Sequence, residues 1–165
     1  MGLATAWDSR KGLADYIKLA AILPEDYLIV LVGVTEEIKA SLPKNIVGIG
    51  RTGSQTDLAA LYSLADLVTS LSVSESLGMT PIEGMACGTP AIVYDNTAQP
   101  ELVTAETGMV VKTGDVEAVK EAIIQLTRKG KVYYSEVCRQ RAEQCFDKNK
   151  NYLDYIKLYH TIITE

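Results

Sequence analysis

Most of what marks a specialised class of protein is scarce in this sequence. It holds three cysteines, one histidine, one phenylalanine and one tryptophan. Cys87, Cys138 and Cys145 form neither a disulfide framework nor a metal-ligand spacing. Cys138 and Cys145 stand seven apart in a helical stretch, about 10 Å of rise, too far for a bond within one helix. A reducing, cytoplasmic setting is the expectation. Basic residues are outnumbered, 16 against 21, for a formal net charge of −5. That balance argues against nucleic acid as a partner, because phosphate backbones select basic faces. It leaves room for one small anionic ligand, which needs only a local cluster of donors. The longest apolar run, Tyr27–Val34, has eight residues against the roughly 20 that span a bilayer, so no transmembrane segment is expected. The opening Met1–Ala6 lacks the apolar region of a signal peptide and the Ser/Thr of a myristoylation signal. No Asp-x-Asp pair occurs, so a metal-bridged diphosphate is not indicated and no cofactor or metal is expected. The opening strand segment Gly2-Leu3-Ala4-Thr5-Ala6 carries no G-x-G-x-x-G, which argues against a dinucleotide-dependent oxidoreductase.

What remains is ordinary globular composition, 47% apolar and 22% charged over 165 residues, enough for one domain with a single core. Strand and helix patterns alternate from end to end. Gly2–Ala6 reads as a short strand and Gly12–Leu23 as a helix, with Leu13, Ile17 and Ala20/Ala21 at helical spacing. Tyr27–Val34 is a continuous branched run, the pattern of a parallel strand buried on both faces. Asn45–Gly50 is another short strand. Ser54, with Asp57 three residues on, opens a helix carrying Leu58, Leu61, Tyr62 and Ala65. Asp66–Leu71 and Pro90–Tyr94 read as strands around a helix near Pro81–Ala86, and Met109–Val111 as the last strand. Asp115 caps a helix that presents Val116, Val119, Ile123 and Leu126 and ends at Gly130. Helices near Val132–Phe146 and Lys150–Ile163 close the chain. Tyr152, Tyr155 and Tyr159 share one stripe of the last helix, which reads as a packing face, and His160 beside them reads as structural. The alternation predicts an α/β fold: a parallel sheet with helices on both faces. Ligands of such sheets bind outside the carboxyl ends of the strands, so the loops after each strand are the ones to search.

The richest of those loops is Ser74-Glu75-Ser76-Leu77-Gly78-Met79-Thr80-Pro81-Ile82-Glu83-Gly84-Met85-Ala86-Cys87-Gly88-Thr89-Pro90, which follows a strand and enters a helix. Free N–H groups near Met79 and Thr80 at a helix mouth suit an anion, and Gly78 lets a ligand approach the backbone. From pattern alone Glu83 reads first as the capping-box partner of Thr80, with Pro81 at the first helical position. Glu75 reads as a ligand group or as a solvated loop carboxylate.

This stretch resembles the E-x7-E region of retaining glycosyltransferases of family 4, usually Glu-(Gly/Ser)-Phe-Gly-…-Glu-Ala-Met-Ala-x-Gly-x-Pro-Val. The resemblance extends to Lys11-Gly12, to Leu58 through Asp66, and to Pro100-Glu101, Gly108 and Gly114-Asp115. It implies a Rossmann-like domain, the carboxyl-terminal, nucleotide-sugar-binding half of a GT-B fold, with the amino-terminal acceptor domain outside this chain. It implies that Glu83 holds the ribose hydroxyls and that Glu75 lies against the donor sugar. Backbone amides of Leu77, Gly78, Met79 and Thr80 are then the contacts to sugar and diphosphate. Lys11 neutralises the diphosphate, and Gly50-Arg51 line the base. Lys11 and Glu75 are the catalytic candidates, Glu75 as an orienting group rather than a covalent nucleophile. The implied substrate is a UDP-, GDP- or ADP-sugar, with a hexose-type sugar passed to a glycan or lipid acceptor by a cytoplasmic enzyme that can lie peripheral to the membrane. The implied last helix crosses back toward the acceptor domain.

Three positions depart from the family pattern. Thr5 and Ala6 stand where an arginine is usual, and Arg10 is the substitute the sequence offers. Leu77 replaces the usual Phe. Thr97-Ala98-Gln99-Pro100-Glu101 replaces Gly-Gly-x-Pro-Glu. These departures keep a second reading open, a non-catalytic nucleotide-sugar-binding module, and a third, a relative of nucleotide-sugar epimerases.

Overall fold

The computed structural model describes residues 1–164. Its elements run β1 (Gly2–Leu3), α1 (Leu13–Ile22), β2 (Ile29–Val32), α2 (Glu36–Ser41), β3 (Ile46–Ile49), α3 (Gln55–Leu64), β4 (Val68–Ser70), α4 (Met79–Ala86), β5 (Ala91–Tyr94), α5 (Gln99–Leu102), β6 (Gly108–Val111), α6 (Val116–Lys129), α7 (Lys131–Phe146) and α8 (Lys148–Thr164).

Two parallel ladders form, β1-β2-β3 and β4-β5-β6. Leu31 lies opposite Gly2 and Gly48, and Ile92 opposite Thr69 and Met109. The ladders meet where β1 lies beside β4, with Thr69 N donating to the Met1 carbonyl at 2.8 Å. The strands therefore lie in the order β3-β2-β1-β4-β5-β6. That is the doubly wound order, and it reverses direction between β1 and β4, where such sheets open a ligand crevice.

One apolar cluster spans both ladders, from Leu31 and Ile46 through Ile92 and Tyr94 to Val119 and Ile123. β5 is buried along its whole length, as a branched run in a parallel sheet requires. Helix α1 packs on α6, and α4 packs on α3 and α7. Tyr134, Cys138 and Ala142 carry α7 into the main cluster.

Expected caps form at two helices. The Ser54 side chain accepts from Asp57 N at 3.1 Å, and Asp115 accepts from Ala118 N at 3.0 Å. The capping box expected at Thr80 and Glu83 does not form. Helix α4 begins at Met79, its N-cap is Gly78 in the left-handed region, and no side chain caps it. Thr80 and Pro81 thus sit at the second and third helical positions. Proline is tolerated there because the first-turn N–H groups lack intrahelical partners. Helices α2 and α5 were not expected at all. The tyrosine stripe is a further correction: Tyr152, Tyr155 and Tyr159 are exposed rather than packed, and α8 has no buried residue.

Candidate functional site

The crevice between β1 and β4 is built from two loops locked to each other. Val73 N donates to the Arg10 carbonyl at 2.8 Å. Gly12, at φ 74°, presses against the loop after β4 so closely that a Cβ there would lie 2.2 Å from the Leu71 carbonyl oxygen. Only glycine meets both demands. Trp7 anchors the first loop, with Nε1 donating to the Val32 carbonyl at 3.0 Å and its ring meeting Tyr16 edge-on at 5.4 Å.

This locking brings Lys11 to Glu75: Lys11 Nζ donates to Glu75 Oε1 in an ion pair. The side chains are 27% and 16% exposed, so water screens the pair only in part. The Glu75 backbone N–H donates to Thr97 Oγ1 at 3.1 Å. Among the described residues Thr97 is the one non-glycine residue at positive φ, 47°. It stands where the family pattern has a glycine, and its left-handed backbone explains that preference. Its hydroxyl in turn donates to Asn96 Oδ1 at 3.2 Å, while Asn96 Nδ2 donates to the Ser72 carbonyl at 2.9 Å and to Thr113 Oγ1 at 3.0 Å. Buried Gln99 donates from Nε2 to the same Ser72 carbonyl at 3.0 Å. The loops after β4, β5 and β6 are thus joined by side-chain hydrogen bonds that sequence reading did not find. Only Thr97, at the family's glycine position, signalled them.

Beyond Glu75 the chain enters α4 through Gly78 at φ 86°. The N–H groups of Leu77, Gly78, Met79 and Thr80 have no backbone acceptor among the described residues, so a concentration of donors and the positive end of a helix dipole face the crevice mouth. Glu83, one turn deeper, does not cap the helix. Its Oε2 accepts from the Tyr62 hydroxyl at 2.7 Å, and its Oε1 has no hydrogen-bond partner among the described residues. Burial, then the Glu83 carboxylate, push the Tyr62 phenol far above its ordinary range, so it stays a donor.

One expected contributor, Arg10, is engaged elsewhere. The Arg10 guanidinium is 69% exposed and engages Asp8, with Nε at 3.1 Å and Nη2 at 2.6 Å from Oδ2. It borders the crevice by its backbone, while its charge is taken up by Asp8, whose carboxyl it holds below the usual range. Gly50 and Arg51 stand in the loop after β3, at the outer edge of the β1-β2-β3 ladder. No cluster of three or more His, Cys, Asp or Glu suited to a metal ion occurs among the described residues.

The chain is similar in sequence and in fold to longer known proteins. It is 29% identical over 116 residues to the N-acetyl-alpha-D-glucosaminyl L-malate synthase of Bacillus anthracis, covering 68% of this chain and 30% of that protein. The fold superposes on the sucrose-phosphate synthase of Thermosynechococcus elongatus with a TM-score of 0.83 at 24% identity, covering 99% of this chain and 45% of that one. It superposes on Anabaena Alr3699/HepE in complex with UDP-glucose with a TM-score of 0.80 at 22% identity, covering 97% and 48%. These two likenesses establish the fold, and in each the chain spans less than half of the relative. The sequence model of the glycosyl transferases group 1 family matches residues 5–144. The chain belongs to that family.

Proposed function

We propose that this chain is the nucleotide-sugar-binding half of a retaining glycosyltransferase. In this reading the acceptor-binding half is a separate amino-terminal domain, consistent with relatives more than twice as long. The observation that carries the reading is the meeting of Lys11, Glu75 and the open mouth of α4 in one crevice at the reversal of strand order. The bond that breaks joins the anomeric carbon to the nucleoside diphosphate, and negative charge grows on the leaving group as it goes. Lys11 and the amides of Leu77 through Thr80 face that charge, and preorganised donors of this kind stabilise it without reorganising. No metal is needed for it. Glu75 orients the sugar, and Glu83 offers its unpartnered Oε1 to the ribose hydroxyls. The donor is a UDP-, GDP- or ADP-hexose and the acceptor a glycan or lipid, handled by a cytoplasmic enzyme. The exposed apolar side chains of α8 suit a surface on the other half.

A half-site retains leaving-group stabilisation and lacks acceptor positioning, which can supply about 7–11 kcal/mol of barrier reduction. The 165-residue chain therefore transfers no sugar alone, and joining it to its acceptor half restores transfer. Mass spectrometry of incubations with nucleotide sugars and acceptor glycans tests this. Turnover by the isolated chain matching a full-length relative sinks the two-domain reading. A second reading, a binding module without transferase activity, draws support from the commitment of Arg10 to Asp8 with Thr5 and Ala6 in place of a family arginine. Absence of transfer after joining the acceptor half selects it.

A further inference from the structure

Within the crevice the Lys11 cation is held by the Glu75 carboxylate. Lys11 Nζ is paired with Glu75 Oε1, and both side chains are largely buried. Neither end is free to drift. Lys11 precedes Gly12, which is wedged against the Leu71 carbonyl. Glu75 is pinned from its backbone by Thr97 Oγ1 at 3.1 Å, and Thr97 is tied through Asn96 to the Ser72 carbonyl. Arg10, the adjacent cation, is occupied by Asp8. An arriving diphosphate must therefore share Lys11 with Glu75 and set its own charge beside a fixed carboxylate.

We propose that Glu75 is a specificity-determining residue that makes the crevice prefer an intact nucleotide sugar over the bare nucleoside diphosphate, by holding Lys11 until sugar hydroxyls replace it. The inference rests on the function proposed above and deepens it. A sugar brings hydroxyl donors that satisfy Glu75 as Lys11 turns to the phosphates. The spent diphosphate brings only anionic oxygens, and leaves Glu75 charged, partly desolvated and beside like charge, which is unfavourable in a poorly screened site. The same pair that admits substrate thus favours release of the product.

The two ligands should respond to one substitution with opposite signs. In Glu75→Gln the carboxylate charge is gone, the shape is kept and Lys11 is free. Affinity for UDP should rise about three- to tenfold, while affinity for UDP-glucose falls by a similar factor. GDP with GDP-mannose and ADP with ADP-glucose serve as parallel pairs, all titrated by calorimetry in EDTA. Glu83→Gln, acting on the ribose common to both ligands, should weaken the members of a pair equally. If Glu75→Gln does not fold, Lys11→Gln reads the same coupling: it should weaken the bare diphosphate more than the nucleotide sugar. Loss or no change of bare-diphosphate affinity in Glu75→Gln, with the wild-type chain binding normally, overturns the inference and leaves the proposed function standing. Failure of the wild-type chain to bind any member of any pair overturns both.

Discussion

The hydroxyl of Tyr62 donates to Glu83 Oε2 across 2.7 Å, joining the last turn of α3 to the second turn of α4. Tyr62 is 1% exposed, so the phenol is fixed by packing and the carboxylate by the phenol. Tyr62→Phe keeps the ring and deletes the donor. It should cost about 1–2 kcal/mol of stability and weaken nucleoside diphosphate binding about three- to tenfold, because Glu83 then samples other rotamers. Urea unfolding and calorimetry on the same sample check the two effects. Binding unchanged in a destabilised variant would show that the bond serves the core alone.

Gly12 has no substitute. Alanine there must adopt φ 74° and place its Cβ 2.2 Å from the Leu71 carbonyl oxygen, so Gly12→Ala should destabilise by more than about 2 kcal/mol. Because Lys11 is its neighbour, binding should fall along with stability. A urea midpoint indistinguishable from wild type contradicts the locked-loop geometry.

Cys138 is fully buried, its Sγ 3.7 Å from the Thr107 carbonyl oxygen, and burial pushes its thiol up to about 12. At pH 8 a thiol reagent should label exposed Cys145 in the native state and reach Cys138 only on unfolding. The linkage has a definite sign. An unfolded thiol ionises near 9.0 while the folded one keeps its proton to about 12, so stability falls as pH rises through that window. Buried Tyr16, Tyr62 and Tyr94, all raised above 10.0, act in the same direction. Urea midpoints that hold steady from pH 9 to 11 would contradict this account.

The sheet was legible because its strands are short branched runs set between helices with recognisable caps. Helix α2 escaped because it is short and packs only the partly buried Ile38 against the core: its one signal was Thr35, whose hydroxyl accepts from Ile38 N at 3.4 Å. Four-residue α5, with Pro100 inside it, carries no periodicity to read. The tyrosine stripe of α8 misled because helical spacing reports an apolar face and not whether a surface meets it. Lys11, Glu75, Glu83 and the α4 entry were legible through the family resemblance. Their partners were not. Lys11 and Glu75 are 64 residues apart, and only the placement of β1 beside β4 brings them together. Tyr62 looked like an ordinary core residue of α3, since no local pattern announces where a buried hydroxyl ends. Thr80 and Glu83 fit a capping box in spacing, but the left-handed turn at Gly78 starts the helix before Thr80 can cap it.

Whether the β1–β4 crevice binds a nucleoside diphosphate by protein donors alone is the claim on which the rest depends. Its direct test is calorimetric titration of UDP, GDP and ADP into the 165-residue chain in EDTA. At least one should bind at or below millimolar concentration without metal. Lys11→Met should weaken it about tenfold or more, the scale of a charge-assisted hydrogen bond. No binding of any of the three in EDTA, with binding restored by magnesium, would contradict the account at its centre.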